Sequence, residues 1–226
     1  DVMQRGGFDA VVGNPPWEKY TILEREFFAA IPEIVAETNA AKRRKIIEDE
    51  LKRSPALSEA WSAAQREASA KGDFVRESGR FPQSAVGELN LYPLFAELAT
   101  HLTKRAGWTG LILKSLMFTG STWKGFTDHL VTSGRLRAVY DFKNWEMLFS
   151  SVGYHERYSL TTMGPERPDT HMKLAVGLTN PSQLASGNSI IAVDRAFPRR
   201  VNPETGTLPQ CETPEDLRIL TRVAED

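Results

Sequence analysis

The stretch Phe8-Asp9-Ala10-Val11-Val12-Gly13 runs directly into Asn14-Pro15-Pro16-Trp17, and no other part of the chain restricts its own backbone so tightly. A short apolar run closing on glycine predicts a buried strand of a parallel sheet. Two successive prolines then fix φ twice and remove two N–H donors, so ladder pairing stops and the backbone leaves the sheet as a stiff arm. In an open α/β sheet, ligands bind beyond the carboxyl ends of the strands. Asn14 falls at that end. Its side-chain carbonyl and the backbone carbonyl of Pro15 are two acceptors held in fixed directions, which suits the two hydrogens of one amino group. Trp17 adds a flat ring for stacking on a heterocycle. An amine held this way keeps its lone pair free to attack an electrophilic methyl, and acceptors already oriented need little reorganisation. The plain alternative is a rigid turn with Trp17 as a core anchor.

The remaining sequence places this segment in an α/β core. Leu91, Leu94, Phe95, Leu98 and Leu102 make an apolar helical stripe that Lys104, Arg105 and Gly107 are expected to close. Thr109 to Leu113 and Leu136 to Phe142 read as strands separated by a helix around Phe126, Leu130 and Val131, which implies right-handed crossovers. Arg157 to Met163 and Lys173 to Leu178 read as further strands without room for a crossover helix, hence antiparallel. Residues 21–88 differ in composition: three helical stretches with a break at Pro32, then a polar loop over 72–87. Lys42-Arg43-Arg44-Lys45 could meet phosphates, but Glu48, Asp49 and Glu50 follow, which favours a solvated helix face.

Composition narrows the function classes. With 28 basic and 29 acidic residues the net charge is −1, which excludes a uniformly basic nucleic-acid coat. Cys211 is the single cysteine, so no internal disulfide or multi-cysteine zinc site can form, and the four histidines lack metal-ligand spacing. No apolar run approaches the roughly 20 residues needed to cross a bilayer. A cytoplasmic protein with no membrane partner and no metal is expected.

The ten residues Phe8 to Trp17 resemble the catalytic motif of S-adenosylmethionine-dependent amino-group DNA methyltransferases, and are most similar to the N6-adenine-specific enzymes of bacterial restriction–modification and phage-defence systems. Leu89 to Glu97, Gly107 to Phe118, Leu136 to Phe149 and Arg157 to Leu160 resemble later blocks of that family in the same order. The resemblance implies a Rossmann-like methyltransferase sheet, mixed parallel and antiparallel, represented by its C-terminal half (residues 1–165, with a helical insertion over about 21–88). Residues 166–226 would form a strand-and-loop extension ending in a short helix. It implies a flipped-out adenine in double-stranded DNA as substrate, S-adenosyl-L-methionine as cofactor, and as partners the remainder of the parent methyltransferase and a restriction or defence-system subunit. On this basis Asn14, Pro15, Pro16 and Trp17 are the catalytic residues. Trp17 and Tyr158 stack on the base, and Tyr92 and Phe95 line the cofactor pocket. Cytosine N4, RNA and protein glutamine present the same kind of amine and remain alternatives, as does a non-catalytic DNA-binding or assembly module.

The sequence departs from the family pattern in one respect. The Gly-rich loop that cradles the methionine part of the cofactor, and the acidic residue for its ribose, are not found here. In the family they precede the motif, so they are expected upstream of Asp1. By itself the chain is expected to bind the cofactor weakly and to leave the Phe8 to Gly13 strand as an open sheet edge that invites pairing.

Overall fold

The computed structural model describes residues 1–167 and 171–225. They divide into two compact units, Lys19–Arg80 and the remainder of the chain on either side of it.

The first unit is helical. Helices α1 (Glu24–Phe27) and α2 (Pro32–Ala36) are separated just before Pro32, where proline can begin a helix but not continue one. Helix α3 (Ala40–Arg53) starts on Asn39, whose side chain accepts from the amides of Ala41 and Lys42 at 3.0 and 3.1 Å. Helix α4 (Pro55–Glu77) runs through Gly72 and ends six residues later than the helix expected from the sequence. The good helix formers on either side of Gly72 outweigh its cost of about 1 kcal/mol, so the expected loop over 72–87 begins only after α4. Phe28, Ile34 and Ile47 are the buried core of this unit, with Phe27 and Trp61 packed against them.

The second unit holds a six-stranded sheet. Its strands are β1 (Phe8–Gly13), β2 (Thr103–Lys114), β3 (Leu136–Lys143), β4 (Arg157–Met163), β5 (Met172–Leu178) and β6 (Ile191–Val193), in the order β1-β2-β4-β3-β5-β6. β1 pairs with β2 and β3 with β5 in parallel, whereas β4 is antiparallel to both β2 and β3. The carboxyl ends of β1, β2, β3 and β5 therefore meet the amino end of β4 on one side of the sheet. β4 and β5 were expected to run antiparallel, and they do, but β3 lies between them and pairs with β5 in parallel, while β6 pairs with β5 antiparallel on its other side. β1, expected to be buried, occupies the edge and its residues are mostly exposed, Val12 by 84%.

Local chemistry explains the less regular parts. Helix α5 (Leu91–Leu102) passes into β2 without a break, so Lys104 and Arg105 are strand residues rather than a helix cap. Phe8 pairs with Thr103 but Ala10 with Trp108, so β2 bulges outward over 104–107. Gly107 makes that fit possible, because a Cβ there would lie 2.8 and 2.9 Å from the Asp9 and Phe8 carbonyl oxygens.

One face of the sheet is covered by α5, α6 (Leu116–Thr119), α7 (Lys124–Thr132), α8 (Phe197–Val201) and α9 (Pro214–Glu225). Tyr92, Leu113, Phe126, Leu136, Leu174 and Phe197 lie at the centre of this continuous core. At about 1.5–3 kcal/mol for each large apolar side chain buried, this is the dominant favourable contribution. The other face carries a smaller cluster of Phe142, Tyr158, Ala175 and Leu178. Among the described residues no helix is long and apolar enough to cross a membrane.

Candidate functional site

The chain turns out of the sheet at Asn14, the residue after β1, on the side where the parallel strands end. Asn14 is exposed and its carboxamide engages no partner among the described residues. Pro15 is buried, Pro16 exposed and Trp17 half-buried. The arm is fixed at two points beyond the prolines. The Trp17 indole N–H donates to the Ile112 carbonyl of β2 at 3.3 Å, and the Leu91 amide donates to the Glu18 carbonyl at 3.0 Å. The acceptors thus stand on a backbone anchored at both ends, and the Asn14 oxygen is available to a ligand.

Trp17 belongs to a row of rings on the less covered sheet face. Tyr158 and Phe142 are register partners on β4 and β3, and their rings stack with centroids 5.2 Å apart and planes 7° apart. Trp17 lies 6.3 Å from Tyr158 at 27°. Tyr158 is only 3% exposed, and its hydroxyl is buried without a hydrogen-bond partner among the described residues. Burial, with the Glu146 carboxylate adding to it, holds its pKa above the ordinary phenol value.

A fourth ring joins them that the sequence did not single out. Phe149 packs 5.2 Å from Trp17 and edge-on to Tyr158 at 4.8 Å. Its position is set by Asn144, 1% exposed, whose carboxamide donates to the carbonyls of Phe149 and Val152, both at 3.0 Å, and accepts from the Phe149 amide at 3.2 Å. Met147, between them, adopts a left-handed φ of 51°. One internal carboxamide therefore holds the loop in place. Nothing in local composition announces this, since all three bonds are side chain to backbone within a segment that reads as an ordinary turn.

The two residues expected at the cofactor are placed differently from each other. Tyr92 is 1% exposed, meets Trp123 edge-on at 5.4 Å and lies in the helix-covered core. Burial, with the Glu156 charge adding to it, raises its phenol pKa. Phe95, one turn further along α5, is 44% exposed. The structure therefore brings Trp17 and Tyr158 together and sets Asn14 and Pro15 at the same end of the sheet, while Tyr92 packs elsewhere.

On the opposite sheet face, the same end of the sheet carries an ion-pair network. The Arg157 Nε donates to Asp141 at 3.2 Å, its Nη2 also donates to Asp141 and, at 2.6 Å, to the Cys211 carbonyl, and its Nη1 donates to Glu212 at 2.9 Å. Although burial disfavours its charge, the bond to Asp141 and the Asp141 and Glu212 carboxylates hold the Arg157 pKa above its ordinary value. Gly177 closes the arrangement. Its amide donates to Asp141 at 3.0 Å, its φ is +65°, and a Cβ would stand 2.2 Å from the Glu212 carbonyl oxygen. This network fixes residues 211–212 against the ends of β3, β4 and β5.

No protein-family model matches the sequence, and no curated protein matches it either. Solved structures do match by shape. The methyltransferase subunit of a type I restriction–modification system from Streptococcus thermophilus aligns with a TM-score of 0.50 at 11% identity, over 89% of this chain and 38% of that one. The ATP-dependent type ISP restriction–modification enzyme LlaBIII bound to DNA aligns with a TM-score of 0.44 at 9% identity, over 84% of this chain and 12% of that one. The first likeness shows that the mixed sheet with its helices shares the Rossmann-like α/β fold of that subunit. The chain spans about two fifths of that subunit's length.

Proposed function

We propose that this chain carries the amine-holding half of a methyltransferase that acts on the N6 amino group of an adenine flipped out of double-stranded DNA, as part of a restriction–modification or defence enzyme. The observation that carries the reading is the exposed, unengaged Asn14 carboxamide, held at the carboxyl end of β1 by a proline pair and an anchored tryptophan. Fold likeness to a restriction–modification methyltransferase subunit supports it, as does the order of the sequence blocks.

In this reading Asn14 Oδ1 and the Pro15 carbonyl each accept one hydrogen of the amine. The nitrogen lone pair then points away from both acceptors. Pro16 keeps the arm rigid, so alignment costs little entropy during the reaction. Trp17 supplies the face on which the base stacks. Tyr158 backs that face, and Phe149 forms the adjoining wall. S-adenosyl-L-methionine, when bound, supplies an electrophilic methyl carbon. The exposed Phe95 ring offers an apolar surface for it.

The test is methyl transfer to DNA, RNA and protein by the enzyme containing this chain. Wild type should yield N6-methyladenine in DNA, and Asn14→Ala should lower the rate by two or more orders of magnitude while leaving the circular dichroism unchanged. An Asn14→Ala enzyme working at the wild-type rate would remove the assignment. Label appearing only in RNA or protein would redirect it to another amine.

A further inference from the structure

A cavity of about 220 Å³ lies on the helix-covered side of the sheet, where β2, β3 and β5 end and residues 208–211 cross over them. Its walls are mostly apolar, with Phe118, Val139, Leu174, Val176 and Leu208 facing it. Trp17 and Phe149 are absent from its lining, which separates it from the ring row described above.

His155 and Gln210 are exposed polar residues of its lining, and the charged groups deeper in its wall are engaged. Asp141 and Arg157 neutralise each other and are bonded to Gly177, Cys211 and Glu212. Glu156 is paired with Lys114 at 3.2 Å. These carboxylates and the guanidinium are therefore not available to recruit an ion. One buried group of the lining stands apart. Ser115 is 4% exposed and its hydroxyl has no hydrogen-bond partner among the described residues. It immediately precedes α6, where a serine side chain would ordinarily cap the helix, but it makes no such bond. A buried hydroxyl left unsatisfied carries a desolvation cost that a ligand completing the hydrogen bond can recover.

We infer that this cavity is a binding site for a small, uncharged, planar nitrogen heteroaromatic, of indole or purine type, held by apolar contact and by one hydrogen bond to the Ser115 hydroxyl. Size favours two fused rings, because a dry cavity of about 150 Å³ already accommodates benzene. The less exposed charged groups of the wall already have partners, and Ser115 is the buried group left for a hydrogen bond, which favours an uncharged ring over a sugar or an ion there. The inference stands independently of the function proposed for Asn14.

The experiment uses the 226-residue chain with labelled methyl groups and two probes of the same shape, indole and indene, of which indole alone has an N–H. Both should shift the Val139, Leu174 and Val176 methyl signals, with indole binding roughly tenfold more tightly, the effect of one hydrogen bond to an otherwise orphaned group. Ser115→Ala should erase that preference and leave indene binding intact. Leu174→Phe, which adds volume inside the cavity, should abolish both while the remaining methyl spectrum stays folded. The inference is overturned if neither probe shifts these methyls, if Leu174→Phe binds as well as wild type, or if the indole preference survives in Ser115→Ala.

Discussion

The helical unit and the sheet unit reach stability by opposite routes. In Lys19–Arg80 the core is three buried apolar side chains with Phe27, Phe28 and Trp61 in mutual contact at 4.8–4.9 Å, all from residues within one short stretch of chain. In the sheet unit β1 pairs with a strand that begins some ninety residues later, and the core draws on every strand from β2 to β6 and on five helices. The first can form from local contacts, whereas the second must close a long loop before any pairing with β1 is rewarded. The difference shows where tolerance lies. The helical unit has few irreplaceable contacts, each a large share of its stability, and the sheet unit has many, locked by backbone fits at Gly107 and Gly177.

Substitutions chosen in each unit test that contrast. The largest effect is expected from Arg157→Met, which leaves Asp141 buried without its counter-charge and should cost about 4 kcal/mol in denaturant unfolding followed by sheet amides. A cost below about 1 kcal/mol would mean that Asp141 is not held by this pair. Next comes Phe28→Ala, expected to cost about 3 kcal/mol and to bring hydrogen exchange in α1–α4 close to that of an open chain. Retained protection there would show that the three-residue core is not what holds this unit. Asn39→Ala removes a cap and should cost about 1 kcal/mol, seen as fraying of the first turn of α3. The smallest effect is expected from Glu212→Gln. Bonding to Lys143 is the main cause, with Arg157 adding to it, that holds the Glu212 carboxyl below its ordinary pKa. The stability it contributes is therefore complete above the unfolded carboxylate range and disappears as pH falls through the folded value. Because the side chain is 64% exposed, the loss should be only about 0.2–1 kcal/mol, and the variant's acid limb should be flatter than that of wild type.

Cys211 offers a chemical check on the sheet unit. Burial is the main cause that pushes its thiol up to about 11, so only about one molecule in a thousand carries the thiolate at pH 8. Iodoacetamide should therefore leave it unmodified in the native state and react promptly once the 207–213 segment is released. Rapid native alkylation would contradict the packing around Arg157.

Much of this was readable in advance, and the exceptions have physical causes. β1 as a strand and its proline arm were legible because glycine, two prolines and an apolar run restrict the backbone locally, but its burial was not, because β1 lies at the sheet edge with most of its residues exposed. The amino half of β2 was misread as a helix cap because Thr103, Lys104 and Arg105 acquire strand geometry only by pairing with β1. The neighbour of β5 was hidden for a related reason: both sides of β3 are chemically suitable, and the choice depends on where β4 inserts. Of the candidate site, Asn14 to Trp17 announced themselves by type and order. Phe149 did not, because its placement depends on Asn144 gathering three backbone groups around one internal amide.

Arg157 and Tyr158 are adjacent on β4 and point to opposite faces, one into the ion-pair network and the other into the ring row. A slip of one residue along β4 would exchange them, thrusting a guanidinium among aromatic rings and a phenol against a carboxylate. No half-correct alignment of this strand is tolerable. Both sides of the sheet are therefore proofread by a single dipeptide, and an error in reading either one rejects the whole strand.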